Sequence, residues 1–241
     1  RRETADLADT ADLVLADSRF NASELEAMGY RDVGVFPLLL NFEDLTDELH
    51  QPTFHRYRDG DTNVLFVGRC APNKAIDDAL HAFRVFQREF QPHARFIQVG
   101  SWAGTELYRD LLHAQARSDS LDQVEMLGTQ PQDRLNAVYA AADLFLCMSE
   151  HEGFCIPLLE AMAHDVPVLA YAAGAVEETL DGAGVLVREK RWPVIAELMH
   201  RITRDLDLRG ALVATQRNRL ARYQARDPEA ELRAHFARWL T

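Results

Sequence analysis

Apolar runs short enough for buried strands recur at 63–67 (N-V-L-F-V), 95–99 (R-F-I-Q-V), 123–127 (Q-V-E-M-L), 143–148 (D-L-F-L-C-M), 166–170 (V-P-V-L-A) and 184–187. Helical patterns at 75–90, 105–118, 132–141 and 156–163 fall between them. This alternation predicts a mostly parallel sheet, because parallel neighbours need a long crossover and a helix is the usual one. In 75–90, Ile76, Leu80, Phe83, Val85, Phe86 and Phe90 sit near helical spacing on one side, with Asp77, Arg84 and Arg88 on the other. Helices covering both faces of such a sheet give a three-layer, Rossmann-like α/β domain. Its ligands bind at the carboxyl ends of the strands, so the loops that follow strands are where function is sought.

The flanks read differently. A short helix over 3–10, a strand over 13–16, a helix capped by Asp17 or Ser18 and running to Met28, and a strand over 33–36 stopped by Pro37 open the chain. Residues 1–37 are too few to own a core. They are expected to be the remnant of a preceding domain and, left with an open strand edge and an apolar helix face, to self-associate or be disordered. From 38 to 61 periodicity fades around Pro52, which predicts an interdomain linker. The regular domain then spans 62–225, with helices over 193–205 and 208–223, and a C-terminal helix over 229–240 lies within the last segment, 226–241. The chain begins at Arg1 rather than Met, as a piece of a longer protein would.

Composition narrows the function. A net charge of −12 argues against a general nucleic-acid binder, so any phosphate must be met by a few local cations. Lys74 and Lys190 are the only lysines in a chain whose other permanent cations are all arginine. Cys70, Cys147 and Cys155 are odd in number and form no C-x-x-C pair; they suggest neither a disulfide framework nor a zinc site, and they read as small apolar fillers in a reducing cytosol. No apolar run is long enough for a membrane helix, so a cytoplasmic or membrane-peripheral protein is expected.

Two strand-end loops carry the chemistry. Gly68-Arg69-Cys70-Ala71-Pro72-Asn73-Lys74 follows the 63–67 strand; Arg69 offers a planar fork for phosphate oxygens and Lys74 a point charge. Ser149 to Glu160 (S-E-H-E-G-F-C-I-P-L-L-E) follows the 143–148 strand and runs through a glycine turn into a helix. That geometry aims main-chain N–H groups of Gly153, Phe154, Cys155 and Ile156 at an anion. Glu152 stands on the rim of the turn and Glu160 about one helical turn inside. Asp59-Gly60-Asp61 has the spacing of a metal-binding D-x-D, but it precedes a strand and reads as a polar turn. His151 reads as a half-exposed structural histidine.

The E152-x7-E160 spacing within S-E-H-E-G-F-C-I-P-L-L-E-A-M-A resembles the signature of retaining glycosyltransferases of the GT-B fold, family 4. V-G-R-C-A-P-N-K is similar to that family's diphosphate loop, V-P-V-L-A with A-G-A-V-E-E to the segment after the signature, and L-V-L-A-D-S-R-F-N-A-S-E-L to the end of its N-terminal domain. The likeness runs from about residue 11 to 215. It implies the donor-binding, C-terminal half of an enzyme that transfers a hexose from a nucleoside-diphosphate sugar to a glycan or lipid-linked acceptor in bacterial surface polysaccharide synthesis, with no cofactor and no metal. Arg69 and Lys74 would clamp the diphosphate, with Gly68 letting the backbone approach the donor. Glu160 would accept from the ribose hydroxyls, and Glu152 would hold sugar hydroxyls or stabilise positive charge at the anomeric carbon. The base would lie against the loop from Gly128, with Gln130 and Gln132 at its polar edge.

Rival readings are a non-catalytic nucleotide-sugar-binding module and a sugar-nucleotide epimerase. A glycosidase built on the two glutamates ranks below these, because the second carboxylate sits beside the expected nucleotide. Two departures stand out: Ala173-Gly174 replaces the family's paired glycines, and P-L-L-L-N-F replaces its usual domain-junction motif. The acceptor-holding N-terminal domain is expected to be missing apart from 1–37, so this portion alone should transfer poorly.

Overall fold

The computed structural model describes residues 8, 10–42, 45 and 48–237. The expected helix over 3–10 therefore lies almost wholly outside the described residues, as does the end of the helix expected over 229–240. The central sheet has six strands, β3 (Asn63–Val67), β4 (Arg95–Val99), β5 (Val124–Met126), β6 (Leu144–Cys147), β7 (Val168–Tyr171) and β8 (Val185–Val187). They lie in the order β5-β4-β3-β6-β7-β8, and every pairing is parallel. The order reverses between β3 and β6, the point at which an open α/β sheet leaves a crevice.

Both faces are covered, which is why the strands read as continuous apolar runs. Val64 and Phe66 of β3 pack against α3 (Ile76–Glu89), α4 (Glu106–Ser118) and α8 (Trp192–Arg204). Leu65 points the other way, toward α2 (Gln51–Tyr57), α5 (Gln132–Ala140) and α6 (Ile156–Ala163), with α7 (Val176–Leu180) on the same side. On that side α9 (Leu206–Gln224) closes the layer: buried Gln216 accepts from Val168 N at 2.9 Å and donates to Val166 O at 2.8 Å, filling hydrogen bonds at the start of β7.

Residues 38–61, expected as an interdomain linker, contain the helix α2, whose Tyr57 is buried in the core with Phe54 packed beside it, and polar bonds at its ends hold it in place. His50 N donates to Asp133 O at 3.0 Å, and the Tyr57 hydroxyl donates to Glu125 at 2.9 Å. Asn63 Nδ2 donates to Tyr57 O at 2.6 Å. Beneath it the buried Arg95 guanidinium binds Asn63 Oδ1, Asp59 and Asp61 and faces the Tyr57 ring. The D-x-D tripeptide is thus a turn holding an arginine, and Arg95 keeps the Asp59 carboxyl below the usual carboxylate range.

The N-terminal segment forms a parallel pair, β1 (Leu15–Ala16) and β2 (Gly34–Val35), around α1 (Arg19–Ala27), whose N-cap is Ser18. The chain's end reaches back to it: Tyr223 hydrogen-bonds Leu38 O, and His235, on α10 (Pro228–Phe236), meets Val35 O at 3.2 Å.

Candidate functional site

Main-chain hydrogen bonds join the loops that follow β3, β4, β5, β6 and β7 at the carboxyl end of the sheet into one rim. Gly100 N donates to Gly128 O at 2.9 Å, Cys70 N to Ser101 O at 2.8 Å, and Glu150 N to Asn73 O at 3.0 Å. Ala175 N then donates to Glu152 O at 2.8 Å. The 68–74 loop after β3 and the glutamate loop after β6 are therefore fixed to each other through backbone, before any side chain is considered.

Lys74 closes that junction. Its Nζ donates to both carboxylate oxygens of Glu152, at 2.8 and 2.7 Å, with side-chain exposures of 22% and 7% respectively. A short 3₁₀ turn (Pro72–Lys74) aims the lysine, and Ala75, in the left-handed region at φ 44°, ends that turn and begins α3. No side chain of the cap itself serves the first N–H groups of α3; the Tyr108 hydroxyl does, accepting from Ile76 N at 3.0 Å while donating to Asp77 at 2.6 Å.

Arg69 is exposed and turns toward the neighbouring loop, donating through Nη2 to Ala103 O at 3.1 Å. It and Lys74 share one loop but hold different partners. Gly68 is bound into the sheet end, donating to Val99 O at 2.9 Å and accepting from Gln98 Nε2 at 2.9 Å.

On the other side of the crevice α6 begins at Ile156. Cys155 is its N-cap, in the left-handed region (φ 66°), and no side chain caps the helix. Its first N–H groups thus face the rim, the arrangement that attracts an anion. Phe154 packs inward against the Tyr223 ring, and its carbonyl accepts from Thr179 Oγ1 at 2.5 Å. Glu160 is half-buried, and its Oε2 accepts from the Tyr139 hydroxyl at 2.8 Å. Burial pushes the Glu160 carboxyl up from the ordinary carboxylate value, and the Tyr139 bond opposes that. The neighbouring Cys147 thiol, with burial, holds the Cys155 thiol well above the usual range.

The loop from Gly128 is present, but its glutamines are occupied. Gln130 Nε2 donates to Leu127 O at 2.6 Å and Gln132 Nε2 to Asn136 Oδ1 at 2.9 Å. Any base edge they read must compete with those bonds.

Two groups went unassigned in the sequence reading. Gly174 lies against the Glu152 backbone: a Cβ there would fall well inside 3.0 Å of the Glu152 carbonyl, and φ is +57°. The single glycine of Ala173-Gly174 is thus the one the close approach needs, and a glycine after a strand was the available signal. Asn21 of α1 packs on Gly153, and Arg19 N donates to Glu178 at 2.9 and 3.1 Å, so the N-terminal segment touches the site. His151, on the exposed rim, meets the Phe20 ring edge-on at 5.5 Å and Glu24 at 4.0 Å.

Comparison with known proteins places this geometry. Residues 48–219 match the family described as glycosyl transferases group 1. The chain is 38% identical over 134 residues to the D-inositol 3-phosphate glycosyltransferase of Nocardia farcinica, covering 54% of this chain and 30% of that protein. It is 31% identical over 125 residues to the O-antigen chain mannosyltransferase B of Escherichia coli, covering 51% and 32%. The chain thus spans only about 30% of the length of these relatives. Its fold superposes on Anabaena HepE solved with UDP-glucose, with TM-score 0.82 and 21% identity, over 99% of this chain and 66% of that one. The parallel sheet and its helices are those of a GT-B glycosyltransferase domain.

Proposed function

The chain belongs to the group 1 glycosyltransferases, and from that premise we propose that it is the donor-binding portion of a retaining hexosyltransferase that uses a nucleoside-diphosphate sugar. The observation that carries this reading is the Lys74–Glu152 pair at the crossing of the β3 and β6 loops. Each of these charges neutralises the other. A diphosphate arriving at the uncapped start of α6 takes Lys74 for its own oxygens, with Arg69 swinging off the Ala103 carbonyl to join it. Glu152 is then released to accept from the hydroxyls of the sugar. The two cations stabilise the charge that develops as the bond from the anomeric carbon to the phosphate oxygen breaks. The acceptor oxygen bonds to the same face of that carbon and passes its proton to the departing phosphate, so no protein nucleophile and no metal are required.

Glu160, steadied by Tyr139, takes the ribose hydroxyls, and the loop from Gly128 lies under the base. The UDP-glucose held by Anabaena HepE and the sugar-transfer names of the relatives support a nucleotide-sugar donor. The acceptor, a glycan or lipid-linked sugar of a bacterial surface polysaccharide, is held by a domain N-terminal to residues 1–37. Residues 62–225 are the donor domain. A hollow of about 490 Å³ opens between Asn21, Met28, Phe36 and Leu38 at the N-terminal segment. The whole protein works in the cytoplasm or at the inner membrane face; no helix among the described residues is long and apolar enough to cross a membrane. The test is sugar transfer by the full-length parent carrying Lys74→Ala or Glu152→Ala: a large fall in kcat is expected, and unchanged rates end the reading.

A further inference from the structure

Behind the Lys74–Glu152 pair, Cys147 at the end of β6 and Cys155 at the start of α6 converge on the same carboxylate. Their two sulfurs and a Glu152 carboxylate oxygen all lie within 4.8 Å of one another. The three residues are 1%, 8% and 6% exposed. Cys147 Sγ also meets Ser149 Oγ at 3.5 Å. Cys155 is held at φ 66° and ψ 62°, where a Cβ costs roughly 1–2 kcal/mol that glycine would not. A turn that needs only a left-handed residue does not need a sulfur.

We infer that Cys147, Cys155 and Glu152 form a binding site for a soft divalent cation of the zinc and cadmium class, and that occupancy opposes donor binding. Two thiolates about 2.3 Å from a tetrahedral zinc are about 3.8 Å apart, and a carboxylate oxygen at about 2.0 Å comes slightly closer. From separations within 4.8 Å, that geometry is reached by approaches of at most about 1.0 Å between the sulfurs and about 1.3 Å between sulfur and oxygen. Charge also balances. Lys74, Glu152 and two neutral thiols sum to zero. On binding, each thiol gives its proton to solvent, two sulfur–metal bonds form, and the dication cancels the two thiolates. No net charge is added to a buried place, so the large penalty for an unpaired buried ion does not arise. Glu152 offers both oxygens to Lys74 Nζ, so one can turn to the metal while the other keeps the lysine; water from the cleft fills the fourth position. Thiolate ligands select zinc, cadmium or copper(I) over magnesium and calcium.

Occupancy pins Glu152 and Lys74 in the arrangement that a donor must open. The ion is therefore an inhibitor of transfer rather than its cofactor. This consequence rests on the function proposed above; the site itself does not.

The test is titration of the reduced, metal-free chain with cadmium chloride, read by the ultraviolet charge-transfer absorption of cadmium thiolate and by equilibrium dialysis. The expected result is about one equivalent bound through two thiolates, displaced by zinc but not by magnesium. The absorption should vanish in Cys147→Ser and in Cys155→Gly, where glycine suits the backbone, and persist in Cys70→Ala, on the opposite face of the sheet. No absorption, absorption that survives both Cys147→Ser and Cys155→Gly, or conversion of the pair to a disulfide by peroxide with no cadmium uptake overturns the site. Saturating zinc should weaken nucleotide-sugar binding at least tenfold. A chain that binds cadmium but no nucleotide sugar under any condition leaves the metal site standing and refutes the donor reading instead.

Discussion

Lys74 and Glu152 are 78 residues apart in sequence, yet the lysine's single ammonium group spans both oxygens of the carboxylate at 2.8 and 2.7 Å. The glutamate is almost fully enclosed, so removing the lysine strands a buried negative charge. Lys74→Met should lower stability by about 3 kcal/mol. The double variant Lys74→Met/Glu152→Gln should recover at least half of that, because neither charge remains. Urea denaturation of the four proteins of the cycle reads the coupling; additive losses would mean that the pair contributes nothing.

Gly174 holds the Glu152 backbone in place, and Gly174→Ala must both strain φ +57° and push the Glu152 carbonyl. A loss of about 3 kcal/mol is expected. Gly182→Ala is the control: φ is +83°, but a Cβ there meets nothing within 4 Å. It should cost only about 1 kcal/mol of backbone strain. Equal losses in the two variants would show that the approach to Glu152 is not tight.

His164 stacks on Tyr139 with ring centroids 5.1 Å apart and planes within 7°. Its Nε2 is buried without a hydrogen-bond partner among the described residues. Burial depresses its pKa from 6.5 to about 4. As pH falls through that interval the unfolded chain takes up the proton first, so stability present above pH 6.5 is lost on the way down to about 4. The loss from this residue is about 3 kcal/mol. His164→Phe keeps the stacking and should flatten that part of the stability profile, measured by urea denaturation across the interval. An unchanged slope would place the titration elsewhere.

Arg95 gathers Asn63, Asp59, Asp61 and the face of Tyr57 beneath α2. Arg95→Met should cost about 3 kcal/mol and release the 51–57 helix before the sheet. Hydrogen exchange should show early loss of protection confined to that helix. Uniform loss across the sheet would mean that α2 and the core open together.

The sheet was legible in the sequence because its strands are buried on both faces: Asn63–Val67 and Arg95–Val99 read directly as runs, and Ile156–Ala163 as the helix after the glycine turn. What escaped was held by long-range polar contacts. Gln51–Tyr57 has Pro52 and only Phe54 and Tyr57 on the core, too few to show a period, and its helix also draws on Glu125, Asp133 and Asn63 elsewhere. Val176–Leu180 is too short to show a period. The rim loops were placed correctly, but their pairing was not visible. Spacing within R-x4-K or E-x7-E says nothing of Lys74 reaching Glu152, Arg69 turning to Ala103, or Gln130 and Gln132 bonding within their own loop. Cys155 was hidden for another reason: a left-handed cap announces itself by glycine, and here a cysteine occupies it.

Calorimetric titration with UDP-, GDP- and ADP-sugars, on the chain and on Lys74→Ala, tests the donor reading most directly. One nucleotide sugar should bind to the unaltered chain, and its affinity should fall at least tenfold when Lys74 is removed, the loss of one charge-assisted phosphate contact of about 1.5–3 kcal/mol. Absence of binding to all three classes, or full affinity without the lysine, would contradict it.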